Sequence, residues 1–200
     1  MQRIAVEDRR TALLAAALHV IGREGMGAAS TRTIAAEAGM PTASFHYVFA
    51  SYDAMVEQLV ATVLDAQAEA VSTSVEAADT LRGFVEGALQ GWLDRASAEP
   101  DAEVALHEIV AWSRSSPGRR HLAEVVYARY TAAVEAFMQA AEARFGVRWR
   151  IPAGDVARFV LVLTDGVAAR WLVDRDVAAA RTALALGADA LLALAQDVRP

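Results

Sequence analysis

Residues 31–49 read TRTIAAEAGMPTASFHYVF, and the fold turns on how this stretch is divided. Ser30 or Thr31 is placed to cap a short helix. Gly39 supplies the left-handed backbone that a sharp stop needs. Pro41 or Thr42 then opens a second short helix, where the missing N–H of proline costs nothing. Ile34, Ala35, Ala38, Met40, Phe45 and Phe49 fall on the inward side of this pair. Thr42, Ala43, His46 and Tyr47 are left on the outer side of the second helix. A short helix standing proud of its domain in this way matches the dimensions of the major groove of DNA. The competing reading is an ordinary helical hairpin inside a bundle, for which an outward Tyr beside a His is awkward.

Working outward, helix formers dominate and strand-like alternation is scarce, so the chain reads as all-α with about nine helices. A first helix spans Val6 to Glu24, with Leu13, Leu14, Ala17, Leu18, Val20 and Ile21 as its apolar side, and Gly25 and Gly27 stop it. Ser51 caps a fourth helix reaching to about Val71, long enough to join a small domain to a larger body. The body reads as helices over Thr80 to Ala98, Pro100 to Arg114, Ser116-Pro117 to Phe145, Pro152 to Asp174 and Asp176 to Gln196. The tail from Asp197 to Pro200 is expected to fray. The expected organisation is a helix-turn-helix domain over residues 1–50 and a helical body over 51–200.

Composition narrows the chemistry. The 200 residues contain no cysteine, which removes disulfides, thiolate catalysis and cysteine-ligated metals. Every basic residue is Arg, so lysine Schiff bases and phosphate-loop lysines are absent. The net charge is −6, yet residues 1–55 balance Arg3, Arg9, Arg10, Arg23 and Arg32 against Glu7, Asp8, Glu24, Glu37 and Asp53. The excess negative charge therefore belongs to the body, and DNA contact by the first segment has to rest on geometry as well as charge. No signal peptide or membrane-spanning run is legible, because Asp165 and Arg170 interrupt the longest apolar stretch. The expectation is a cytoplasmic protein. His19, His46, His107 and His121 are scattered, with no nucleophile elbow or glycine-rich phosphate loop, and no catalytic residue or cofactor is expected. Glu103 and His107 lie four apart but lack a third metal ligand, and a salt-linked surface pair is the plainer reading.

Residues about 9–56 resemble the N-terminal domain of the tetracycline-repressor (TetR) family of bacterial transcription regulators. The resemblance is carried by Thr31 or Thr33, Ile34, Ala35, Ala38, Gly39, Met40, Phe45, Phe49, Ser51 and Met55. It departs from the family pattern at Pro41, His46, Val48 and Tyr52, which stand where Ser, a phosphate-contacting Tyr, His and Lys are usual. The loss of that Lys removes roughly one unit of salt-dependence slope. The resemblance implies a DNA-facing set. Thr42, Ala43 and Tyr47 are candidates for base edges, and Thr31, His46 and Tyr52 for the backbone. Arg32 reaches either, and Ser44 completes the set. Arg9 and Arg10 read as phosphate neighbours or, more plainly, as simply solvated cations.

The body carries a scattered aromatic set that, residue by residue, reads as core filling. The resemblance implies instead an inducer pocket among the middle helices, with Trp92, His107, Trp112, Tyr127, Tyr130 and Phe159 as candidates for a small, mainly apolar effector. Residues 159–176, FVLVLTDGVAARWLVDRD, resemble a frequent ending of the family's regulatory domain. That ending implies a homodimer paired through the last two helices. Val160, Leu163, Val167 and Ala168 with Leu184, Leu191, Leu192 and Leu194 are expected to supply its apolar face, and Ala168, Ala169, Gly187 and Ala188 its close approach. The implied function is a ligand-responsive regulator, usually a repressor, that sets two recognition helices on a palindromic operator. The alternative is a helical small-molecule-binding protein without DNA contact.

Overall fold

The computed structural model describes residues 5–197. Among them the chain is all-helical apart from two three-residue strands. The helices are α1 (Val6–Glu24), α2 (Thr31–Glu37), α3 (Thr42–Val48), α4 (Tyr52–Val75), α5 (Leu81–Ala98), α6 (Pro100–Ser115), α7 (Arg120–Phe145), α8 (Ala153–Asp174) and α9 (Val177–Leu192). The strands are β1 (Val147–Trp149) and β2 (Ala195–Asp197).

Three expectations need correcting. α4 continues a turn past Val71 to Val75, despite Ser72, Thr73 and Ser74. The Ser74 hydroxyl turns back onto the Ala70 carbonyl at 2.7 Å, so it extends the helix instead of ending it. The long helix expected from Ser116-Pro117 is broken, because Pro117–Arg119 forms a separate 3₁₀ turn before α7 begins. The last helix stops at Leu192, and the chain returns as β2, antiparallel to β1 with Val147 opposite Asp197. Such short strands show no alternation. They exist because Gly146, at φ 67°, turns the chain out of α7, and because backbone pairing satisfies both segments. Asp197 thus pairs, while the rest of the tail expected to fray lies outside the described residues.

The chain forms two compact units. One comprises the chain up to Val63 together with Glu99–Val126, and the other Leu64–Ala98 with the chain from Tyr127 onward. In the first, α1 packs against α2, α3 and α6. Its core is Leu13, Leu14, Ala17, Val20, Ile21, Ile34, Ala35, Phe45, Met55 and Val56, all buried. Ala38 and Met40, expected inward, are only partly covered. α6 sits close to α1: a methyl group added at Gly22 would meet Cβ and the carbonyl oxygen of Asp101 at 2.6 Å. The Glu108 carboxylate accepts the Met26 backbone N–H at 3.3 Å. This unit therefore holds α6 in addition to the helices read from residues 1–50.

The second unit is built on α5, α8 and α9, with Val85, Leu89, Trp92, Leu93, Val156, Val167, Trp171, Leu184 and Leu191 in one cluster. A second cluster joins Val75, Phe84, Ala88 and Ala141, and Phe84 stacks on Phe137 with ring centres 4.2 Å apart. Arg82 bonds Asp189 at 2.7 Å, tying α5 to α9. The Arg144 guanidinium donates to the carbonyls of Val75 and Glu76 at 3.1 and 3.0 Å, capping the C-terminal end of α4 with positive charge. Val167, Ala168, Leu184, Gly187, Ala188 and Leu191, expected to face a second copy, are buried in this chain's own core. Of the same expected set, Ala169 is exposed and Val160, Leu163, Leu192 and Leu194 are partly covered, while the large apolar residues most exposed on α8 and α9 are Phe159, Val162, Val173 and Leu186.

Candidate nucleic-acid interface

The local chemistry of residues 30–49 explains the shape of the site. Ser30 is the N-cap of α2, its hydroxyl accepting the Thr33 N–H at 3.1 Å. Gly39, at φ 66°, makes the turn, and the Met40 N–H bonds back to the Ala35 carbonyl at 2.8 Å. Pro41 caps α3 in an extended conformation, and the Ser44 N–H closes onto its carbonyl at 2.8 Å. The inner side of α3 is Phe45, Val48 and, just past its end, Phe49, all buried. The Phe45 and Phe49 rings lie 5.2 Å apart, which fixes the roll of this seven-residue helix.

The roll leaves Thr42, Ala43, His46 and Tyr47 exposed, Tyr47 at 66%. Arg32 is exposed on α2, while Thr31 and Ser44 are partly covered. Both short helices thus carry exposed residues, and a hairpin buried in a bundle would leave none on α3.

Tyr52 is placed differently. It is half-buried, with its ring edge-on to Trp112 at 5.9 Å between ring centres. Burial pushes its phenol up to about 12 against the pull of Arg119, and the neighbouring Asp53 carboxylate adds to the rise. Arg10 is not a simply solvated cation. It donates to the Gln58 side chain at 2.6 Å, and its guanidinium lies 5.6 Å from the centre of the Phe49 ring, so it pins α1 to α4. Arg119 bonds Asp53 at 3.2 Å and lies over the Trp112 ring at 4.5 Å. Sequence reading passed over Arg119 because only the unexpected 3₁₀ turn brings it there.

The six effector candidates divide between the two units: His107 and Trp112 in the first, Trp92, Tyr127, Tyr130 and Phe159 in the second. Trp92 is buried, whereas Tyr127 and Phe159 are each 38% exposed. The Tyr130 hydroxyl donates to the side chain of buried Gln67 at 2.7 Å, and the Tyr127 hydroxyl to Asp165 at 3.0 Å. Within the second unit the aromatic hydroxyls are thus held by polar side chains on neighbouring helices. Nδ1 of His107 donates to the Glu103 carbonyl at 3.0 Å. The same Nδ1 lies 3.8 Å from Glu103 Oε1, so the pair four apart does form, but Glu103 is only 4% exposed and the pair is not a surface one. Among the described residues, no three His, Asp or Glu side chains gather as a metal site would require. No described helix is long and apolar enough to cross a membrane.

Comparison with known proteins agrees with this geometry. The family model for bacterial regulatory proteins of the tetR family matches residues 13–59, the segment from mid-α1 into α4. The HTH-type nicotine-responsive transcriptional repressor HdnoR of Paenarthrobacter nicotinovorans is 30% identical over 173 residues, covering 86% of this chain and 88% of that protein. The fold is shared with a TetR-family regulator from a Rhodococcus species, at TM-score 0.80, 20% identity and 92% and 98% coverage of the two chains. A second such structure, from Syntrophomonas wolfei, superposes at TM-score 0.79 with 14% identity over 94% and 97% of the chains.

Proposed function

The chain belongs to the TetR family of bacterial transcriptional regulators, and from that premise we propose that it is a repressor released from DNA by a small, mainly apolar effector. It works as a homodimer on a palindromic operator, with two copies of α3 about 34 Å, one turn of DNA or a multiple of it, apart. The observation that carries this reading is the division of α3 between Phe45 and Val48, which are buried, and Thr42, Ala43, His46 and Tyr47, which are exposed. In this reading Thr42, Ala43 and Tyr47 meet base edges, with Ala43 against a thymine methyl. Thr31, Arg32, Ser44 and His46 hold the backbone, and Tyr52 contributes from the rim of the site.

The responsiveness of HdnoR to nicotine supports an effector of small size with limited polarity. We assign its recognition to Trp92, Tyr127, Tyr130 and Phe159, which share one unit. α4 runs from one unit into the other and is the element whose position the effector changes. The effector weakens DNA binding only to the extent that it prefers one of the two positions.

A gel-shift titration on the duplex upstream of the chain's own gene, at stated salt, tests the reading. Tyr47→Ala is expected to weaken binding about tenfold. Its melting temperature should stay that of the parent, since a 66% exposed side chain contributes little to the core. Binding by the parent indistinguishable from that to unrelated DNA would favour the second reading, a helical small-molecule-binding protein. The acidic net charge and the absence of Lys are the observations on its side.

A further inference from the structure

The corner where α6 ends and α7 begins grips the first two turns of α4, all within one compact unit. Three contacts make the grip. The Tyr52 ring meets Trp112 edge-on at 5.9 Å. Arg119 covers the same Trp112 ring at 4.5 Å while its Nε donates to Asp53 at 3.2 Å. One turn further along α4, Nε2 of His121 lies 3.6 Å from Glu57. Asp53 and Glu57 are four apart and so stand on one side of α4. The first residue of α4, Tyr52, follows the last residue of α3, Val48, after only Phe49, Ala50 and Ser51. Within this short link Phe49 is buried with its ring 5.2 Å from that of Phe45, so a shift in the start of α4 is passed through Phe49 to α3.

We propose that Arg119 is a positioning residue for DNA recognition: by bridging Trp112 and Asp53 it fixes the start of α4 and with it the attitude of α3. It touches no DNA in this arrangement. Its guanidinium is occupied by the indole face and the carboxylate, and it is 39% exposed. The inference rests on the DNA-binding reading above. Its chemistry needs an arginine, because a planar cation can stack on an indole and bond a carboxylate edge-on at the same time. A lysine ammonium can do one of these well.

The test uses the full-length protein and a duplex selected by the parent from a random library. Arg119→Met keeps length and apolar reach but loses charge and planarity. An exposed ion pair and a cation–π contact are each worth a few-fold, so Arg119→Met is expected to weaken binding about tenfold. Arg119→Lys should recover part of that loss. The slope of log affinity against log salt should equal that of the parent, whereas a direct phosphate contact would lower it by about one unit. Indole fluorescence, assigned to Trp112 by difference from Trp112→Phe, should shift in Arg119→Met without DNA present. Unchanged affinity alongside a shifted Trp112 signal would overturn the inference and leave the functional reading standing. A slope lowered by one unit would also overturn it, by making Arg119 a DNA contact. Failure of the parent to select any sequence would instead sink the functional reading, and this inference with it.

Discussion

Gly22→Val is the most direct probe of how the DNA-reading helices are held to α6. Gly22 lies in the last part of α1, and a Cβ at this position would come within 2.6 Å of the Asp101 carbonyl oxygen and Cβ, and 2.9 Å of its Cα. Carbon contacts settle near 3.5–4.0 Å, so the start of α6 must retreat by about 1 Å. The obstacle is backbone, which cannot rotate away. At Gly187, by contrast, the nearest atoms to an added Cβ belong to the Leu163 side chain, which can rotate. Overpacking of this kind costs about 1–3 kcal/mol. The gain in helix propensity on replacing Gly by Val offsets only about 0.3–0.5 kcal/mol of it. A net loss of about 2 kcal/mol corresponds to a melting temperature lower by about 4–8 °C for a chain of this size. Thermal melts at matched protein concentration measure it, with Gly27→Ala as control, since nothing lies within 4 Å of a Cβ there. A Gly22→Val melt within a degree of the parent would refute the close approach of α1 and α6.

Two further outcomes follow from the same geometry. The raised phenol of Tyr52 has a definite consequence at high pH: from its ordinary 10.0 to about 12, the folded chain keeps a proton that the unfolded chain gives up. The neutral phenol's contribution to stability is therefore complete below pH 10 and falls as pH rises through that window. Tyr52→Phe should flatten this part of the denaturant-midpoint profile, and an unchanged slope would count against the burial of the ring. On α8 and α9, Leu186 is 67% exposed, so Leu186→Asp should leave the melting of a monomer within about 0.5 kcal/mol of the parent. If this outward apolar side of α9 meets a second copy, sedimentation should show Leu186→Asp shifting a homodimer to monomer, and a dimer that persists at the same concentration would place the pairing elsewhere.

The helix-turn-helix was legible because its signals are local. A cap at Ser30, a left-handed glycine at 39, a proline at 41 and two phenylalanines four apart each act within a turn or two of their position. The boundaries of α1 were legible for the same reason. What escaped the sequence depends on distant partners. Arg10 reads as a surface cation until Gln58 and Phe49 are placed beside it. Leu184 and Leu191 show an apolar period but not which neighbour they meet, and they turn inward to α5 and α8 instead of outward. The strands at 147–149 and 195–197 are invisible because each is defined by the other.

Charge and rigidity together decide how a chain of net charge −6 meets DNA. Of the described arginines near α2 and α3, Arg10 is engaged with Gln58, Glu7 and Phe49, while Arg32 is exposed on α2. Each phosphate neutralised steepens the salt dependence by about 0.9, and a site with so few cations gathers little affinity that way. Its discrimination then has to come from base-edge and shape contacts, which tolerate small displacements poorly. That requirement gives a physical role to features that add no contact of their own: the backbone approach at Gly22, the Phe45–Phe49 pair, and the Arg119 bridge to Asp53. A more basic relative would tolerate loosening at these points, because long-range attraction does not depend on the attitude of α3. In this chain, variants that loosen α3 should lose operator affinity faster than affinity for unrelated DNA. The ratio of the two, measured at one salt concentration, is the quantity in which rigidity shows itself.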